Sequence, residues 1–211
     1  MKLVLIGAPG AGKGTQARKL LQKYSLAYIA TGDMLREEVA QKTDLGRQVE
    51  EIMHAGGLVS DHLIIQIVDH RIQKDDCKEG FILDGFPRTV VQAQELDKLV
   101  GTLDAAIYLQ VEDAVLLERL CGRQTCSHCG ATYHQITLPS KVSGICDECG
   151  HALMQRKDDT MEAGAVRLAT FHSQSAPLED YYREKNHLVT VNGLQDADAV
   201  FQDICQGIER L

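Results

Sequence analysis

Gly7-Ala8-Pro9-Gly10-Ala11-Gly12-Lys13-Gly14-Thr15 decides the fold of this chain. The stretch follows the short apolar run Leu3–Ile6 and leads into Gln16–Tyr24, which reads as a helix. Strand, glycine-rich loop, lysine and helix form the phosphate-binding P-loop arrangement. Glycines let the backbone curl until several N–H groups face one anion. The helix start adds the positive end of its dipole, and Lys13 supplies a mobile charge for the outer phosphates. Gly14 follows the lysine, so the hydroxyl arrives one place later than in the general pattern, on Thr15.

Working outward, further strand-like runs are Ala27–Ala30, Phe81–Leu83, Ala105–Gln110 and Leu188–Val191. Helical segments separate them: Met34–Gln41 behind a Thr31-Gly32-Asp33 cap, Asp44–His54, His62–Gln73 capped by Ser60-Asp61, Thr89–Val100, Asp113–Leu120, and Asp196–Leu211. A long helix is expected from about Met161 to Tyr182, broken or turned near Pro177. Five strands alternating with helices predict an α/β fold, a five-stranded parallel sheet covered on both faces. Ligands then bind at the carboxyl ends of the strands. The P-loop, Thr31-Gly32-Asp33 and Asp84-Gly85-Phe86-Pro87-Arg88 all fall at such ends. Asp84 is placed like the Walker-B acid that holds Mg2+ through water.

Four of the seven cysteines form Cys126-Ser127-His128-Cys129 and Cys146-Asp147-Glu148-Cys149, two C-x2-C pairs separated by sixteen residues. Each pair can turn a tight knuckle, and two knuckles complete a tetrahedral Zn2+ site. Disulfides and a redox C-x-x-C are the competing readings; a cytosolic setting disfavours the first and the paired arrangement weakens the second. His128, His134 and His151 are possible competing ligands, expected beside the metal or at the surface. The surrounding stretch, roughly Thr125–Gln155, lacks helical periodicity and reads as a small β-rich insertion. Cys77, Cys121 and Cys205 read as ordinary buried or half-buried thiols.

The net charge of −8, the 5% aromatic content and the absence of Trp argue against a nucleic-acid surface. The apolar runs are too short for a membrane span or a signal-peptide core, so a cytoplasmic location is expected. Within this acidic chain, Arg36, Arg88, Arg119, Arg123, Arg156 and Arg167 fall beside strand ends or at the borders of the insertion. Their permanent charge and bidentate geometry suit a site holding many phosphate oxygens. No serine or cysteine nucleophile is evident, and phosphoryl transfer needs none, because it depends on positioning and charge neutralisation.

GAPGAGKGT at Gly7–Thr15, TGDMLR at Thr31–Arg36 and GFILDGFPRT at Gly80–Thr89 together resemble the adenylate kinases. Gln92, Arg123, Arg156-Lys157-Asp158-Asp159 and Arg167-Leu168 continue the likeness along essentially the whole chain. The insertion is similar to the long lid of the bacterial members that carry structural zinc on Cys126, Cys129, Cys146 and Cys149. The resemblance implies a core of residues 1–30, 60–121 and 157–211, an AMP-binding flap at 31–59 and a lid at 122–156. It implies that Gly10, Ala11, Gly12, Lys13, Gly14, Thr15, Arg119 and Arg123 bind ATP. Thr31, Arg36, Val59, Gly85, Arg88, Gln92, Arg156 and Arg167 would bind AMP, with Thr31 and Gln92 near the adenine. Lys13, Asp84, Arg88, Arg123, Arg156, Arg167, Asp158 and Asp159 would carry the transfer. The implied reaction is Mg·ATP plus AMP to two ADP, by direct transfer under a closing lid, in a monomer. Gly164 departs from the pattern and puts the stiffness of the helix start before Arg167 in question. Another nucleoside monophosphate kinase, or a P-loop regulator with a nucleic-acid-binding zinc ribbon, remain the rival readings at this point.

Overall fold

The computed structural model describes residues 1–211. Five parallel strands form the central sheet: β1 (Lys2–Ile6), β2 (Ala27–Ala30), β3 (Phe81–Asp84), β4 (Ala105–Gln110) and a last strand at Leu188–Asn192, in the order β2-β3-β1-β4-last. Every strand inferred from the apolar runs is present. The three inner strands are buried almost continuously, whereas the two edge strands alternate buried and half-buried or exposed residues. That contrast is what a parallel sheet covered on both faces requires. β1 lies between β3 and β4, pairing Leu3 with Ile82 on one side and with Ala105 on the other. The loop after β1 therefore opens at the point where the strand order reverses, the ligand crevice of such sheets.

The helices are α1 (Lys13–Lys23), α2 (Thr31–Ala40), α3 (Asp44–His54), α4 (Asp61–Ile72), α5 (Val90–Val100) and α6 (Asp113–Cys121). Between α6 and the next helix, β5 (Arg123–Cys126), β6 (Thr132–His134) and β7 (Leu153–Met154) make a separate antiparallel sheet in the order β6-β5-β7. The chain then runs through α7 (Met161–Thr170), α8 (Pro177–Glu184), β8 (Leu188–Asn192) and α9 (Ala197–Ile208). A single cluster of 37 buried residues fills both faces of the large sheet, while the small sheet has its own cluster of four.

Several local expectations shift. α1 begins at Lys13, three residues before Gln16, behind Gly12 in the left-handed region (φ 95°). Lys13, Gly14 and Thr15 are thus the first turn of the helix, with their N–H groups free of helical partners. Thr31-Gly32-Asp33 is not a cap but the first turn of α2; the extended residue before it is Ala30, and the Asp33 carboxylate turns to Arg36 instead. Ser60 makes no side-chain cap on α4, and the Asp61 carboxylate reaches across to α5. The long helix is interrupted over Phe171–Ser175 by a widened turn in which the Ala176 N–H reaches the Phe171 carbonyl at 2.9 Å. Pro177 lacks an N–H and crowds the preceding turn, so the helix loosens before it and restarts with proline in its first turn. Gly164 sits in regular helix, capped by the Thr160 hydroxyl at the Ala163 N–H. A Cβ at Gly164 would stand 3.3 Å from the Leu117 Cδ2, so the small residue lets α7 lie close against α6.

Candidate functional site

A cleft of about 810 Å3 opens at the carboxyl ends of β1, β2 and β3. Eight cationic side chains line it: Lys13, Arg18, Arg36, Arg88, Arg119, Arg123, Arg156 and Arg167. Four acids face them, Asp33, Asp84, Glu148 and Asp196. This concentration of positive charge stands in a chain of net charge −8, and its physical meaning is a binding site for a polyanion. Gly10, Ala11, Gly12, Gly14, Thr15 and Gly85 complete the expected set in the same cleft. Thr31, Val59, Gln92 and Asp158 line a smaller pocket that opens off it beneath α2 and α3 and shares Arg36, Gly85, Arg88 and Arg167 with it. Asp159 touches neither space; it is 1% exposed, behind the arginines.

The cations are held by short local bonds. The Lys13 ammonium donates to the carbonyls of Gly7 at 2.7 Å and Ala8 at 3.0 Å. Burial, with Arg88, Arg167 and Arg123 nearby, lowers its pKa to about 8, although Asp84 opposes the shift. Arg88 donates from Nε to the Gly85 carbonyl at 2.8 Å, and its own carbonyl accepts the buried Ser175 hydroxyl at 2.8 Å. Burial and the neighbouring Arg167 and Arg36 bring Arg88 down to about 10, and burial with Arg36 and Arg123 does the same to Arg156. Both remain charged at neutral pH; the depression records crowded positive charge, which anionic ligands relieve. Arg119 donates to the Gly193 carbonyl at 3.0 Å.

The carboxylates organise these guanidiniums. Asp159 accepts from both Arg123, through Nε at 2.7 Å and through Nη2, and Arg167 at 3.2 Å. Asp158 accepts from Arg167 at 3.0 Å. Burial alone would raise the Asp158 carboxyl, but Arg167, Arg36 and Arg156 outweigh it and hold it below its ordinary value. Asp33 takes Arg36 at 2.5 Å and Arg156 at 3.1 Å, joining α2 to the base of the small sheet. Asp84 ends β3; its Oδ2 accepts the Tyr28 hydroxyl at 2.9 Å. The Oδ1 of Asp84 has no protein partner, which leaves an oxygen for the water shell of a magnesium ion, a hard cation that prefers such ligands.

The four paired cysteines meet. Their sulfurs lie within 4.8 Å of one another, with Cys126–Cys149 at 3.4 Å and Cys129–Cys146 at 3.5 Å. Four sulfurs about 2.3 Å from one Zn2+ would form a tetrahedron with edges of about 3.8 Å. The two knuckles are alike: Gly130 N–H returns to the Cys126 carbonyl at 3.0 Å and Gly150 N–H to the Cys146 carbonyl at 2.9 Å. The Tyr133 hydroxyl and the backbone N–H groups of Glu148 and Cys149 overcome burial and lower Cys146 to about 6. Cys149, although the His151 N–H favours its thiolate, is pushed up to about 12 by burial and the other three sulfurs. Four sulfurs gathered this closely by two like knuckles match the donor set of a structural zinc. His128 and His151 are exposed and stack at 4.0 Å with planes 4° apart, so no point lies in both ring planes for a shared metal. His134 was expected beside the metal or at the surface. It is buried under α6 instead, its Nδ1 accepting the N–H groups of Ile136 and Thr137 at 3.1 Å each.

Four side chains escaped the sequence reading. Tyr28 and Asp61 act only through contacts between distant segments. Arg18 leaves α1 to meet Glu148 at 2.5 Å and the Cys129 carbonyl at 2.7 Å, tying the small sheet to the core. Ser175 supports Arg88 from the widened turn. Tyr28 alone carried a signal, a polar-tipped ring inside a four-residue strand that is otherwise apolar.

A family model described as adenylate kinase matches residues 5–187. Adenylate kinase from Desulfitobacterium hafniense is 48% identical over 213 residues, covering 99% of this chain and 98% of its own length. That from a Geobacillus species is 49% identical over 208 residues, covering 97% and 96%. The Thermosipho africanus enzyme of the same name is 46% identical over the full length of both chains. No helix is long and apolar enough to cross a membrane.

Proposed function

The chain belongs to the adenylate kinase family, and from that premise we propose a division of labour within its cleft. As a member it is a nucleoside monophosphate kinase, moving the terminal phosphoryl group of ATP reversibly to AMP to give two ADP. There is little covalent work for the protein in such a transfer; it must align two nucleotides and neutralise charge. The P-loop residues Gly10–Thr15 cradle the ATP phosphates, with Arg119 and Arg123 closing on them. Arg36 and Arg88 hold the AMP phosphate, and Thr31, Val59, Gly85 and Gln92 receive the AMP nucleoside. Lys13, Arg123, Arg156 and Arg167 converge on the group in transit, where their charge counts most. Asp158 and Asp159 orient the arginines. Asp84 would hold the Mg2+ that accompanies ATP through its water shell, and that ion would supply neutralising charge for the phosphates.

Water must be kept out, or ATP would be hydrolysed. We assign that task to the flap at 31–59 and the lid at 122–156, moving against the core. The bonds of Arg18 to Glu148 and Cys129, and of Arg156 to Asp33, support this reading as latches of a closed state. Cys126, Cys129, Cys146 and Cys149 would hold zinc with no open position for chemistry, and the metal would stiffen the lid as one body. We also propose a cytoplasmic monomer, in keeping with the seven unpaired thiols.

The observation that carries this reading is the gathering of eight cations around one cleft at the strand ends of an acidic chain. A coupled assay of ATP against AMP, UMP, CMP and GMP tests it. AMP should be the preferred acceptor, and omission of Mg2+ should abolish turnover. Equal use of all four acceptors would overturn the assignment of the small pocket to AMP.

A further inference from the structure

The Gln92 side chain is buried in the first turn of α5, 2% exposed, and both ends of its amide are already engaged. Its Oε1 accepts the backbone N–H of Arg88 at 2.7 Å. Its Nε2 donates to the Asp61 Oδ1 at 2.7 Å. A backbone N–H can only donate and a carboxylate can only accept, so these partners distinguish the oxygen from the nitrogen without ambiguity. A flipped amide would set N–H against N–H and oxygen against oxygen. Asp61 is itself fixed, as the first residue of α4, by the Thr89 hydroxyl donating to the same oxygen at 3.3 Å.

We propose that Asp61 is a positioning residue that sets the base preference of the acceptor site by locking the polarity of the Gln92 amide. The proposal rests on the reading that Gln92 faces the acceptor base. After its two bonds, the amide keeps one Nε2 hydrogen and one Oε1 lone pair for the small pocket that it lines with Thr31 and Val59. A 6-aminopurine presents an acceptor at N1 beside a donor at N6, which pair with that hydrogen and that lone pair. A 6-oxopurine presents the reverse, a donor at N1 and an acceptor at O6, and would need the flipped amide. Discrimination between the two thus lies in the carboxylate behind the glutamine as much as in the glutamine. A site that leaves polar groups unpaired against the wrong substrate rejects it strongly.

AMP and inosine monophosphate differ only along this edge and are the probes. Asp61→Asn keeps the shape but presents an amide that can donate as well as accept. The ratio of kcat/KM for AMP to that for inosine monophosphate should fall by roughly tenfold to a hundredfold, the worth of one hydrogen bond to a charged group. The KM for ATP should not change. Asp61→Ser, whose hydroxyl also donates and accepts, should shift the ratio in the same direction and serves if the first variant folds poorly. A residue needed only to start α4 would lower both acceptors together and leave the ratio unmoved; that result in either folded variant overturns the lock. Gln92→Leu in the same assay separates the two levels. If it shifts the ratio while the Asp61 variants do not, the lock alone fails. If it leaves the ratio unchanged, Gln92 does not face the base, and the acceptor-site reading falls with the lock.

Discussion

Replacing Asp159, buried behind the arginines of the cleft, by asparagine should destabilise the nucleotide-free protein strongly. Asp159 is 1% exposed and answers two guanidiniums, Arg123 through two bonds and Arg167 through a third. Both arginine side chains are themselves only 16% exposed. Around them lie Lys13, Arg36, Arg88 and Arg156, and burial and mutual repulsion already depress Arg88 and Arg156 to about 10. Breaking a buried ion pair by removing one partner costs ~3–5 kcal/mol, because the other charge is left uncompensated. For a chain of this size each kcal/mol moves the melting temperature by about 2–4 °C. The expected loss for Asp159→Asn is therefore roughly 6–20 °C. The assay is thermal unfolding followed by circular dichroism, with and without saturating ADP. Phosphate oxygens can replace the missing carboxylate, so ADP should raise the variant's melting temperature by more than it raises the parent's. An unchanged melting temperature without nucleotide, or an equal shift by ADP in both proteins, would refute the reasoning that Asp159 neutralises these arginines.

With Lys13 assigned to the ATP phosphates, ATP binding should depend on pH. Its folded pKa of about 8 lies below the ordinary 10.5, so the folded protein disfavours the ammonium, a penalty of roughly 3 kcal/mol present below pH 8 and relieved as pH rises towards 10.5. Phosphates favour the ammonium, so ATP binding near pH 8.5 should take up a proton and weaken as pH rises further; calorimetry in two buffers of different ionisation heat reads this, and zero uptake contradicts it. Arg88→Ala should weaken AMP binding by about a hundredfold or more and leave ATP binding largely intact; isotherms for each nucleotide alone would expose a reversed assignment if ATP suffers instead. Removing zinc with a strong chelator should lower the first melting step and melt the small sheet while the P-loop core stays folded, since its own buried cluster beyond the cysteines is only Ala131 and Tyr133. Cys146→Ser should act likewise, and stability unchanged after elemental analysis shows the metal gone would defeat the claim.

The architecture was legible wherever one local rule governed. The inner strands announce themselves as apolar runs because both faces are covered, and Gly7–Lys13 announces the loop because its glycines and lysine fall at the spacing that cradles phosphate. The two C-x2-C pairs reveal their meeting because a module with so little core needs a metal. What was misread lies where tertiary contact overrides a local pattern. Thr31-Gly32-Asp33 and Ser60-Asp61 both look like caps, yet Asp33 is drawn to Arg36 and Arg156 and Asp61 to Gln92. Arg18 looks like a surface helix residue, yet the small sheet lies against it and the Cys129 carbonyl accepts its guanidinium. The bond of Tyr28 to Asp84 spans 56 positions and exists only because β2 lies beside β3. His134 shares a neighbourhood with the cysteines in sequence, but β6 turns it away under Gly122.

The most direct test of the central claim is the stoichiometry of a reaction started with ATP, Mg2+ and AMP and followed by phosphorus NMR. Two ADP should form for each ATP and AMP consumed, with no inorganic phosphate beyond background, and the same equilibrium should be reached from ADP alone. Inorganic phosphate appearing in step with ADP while AMP persists would show a hydrolase instead, and would contradict the account.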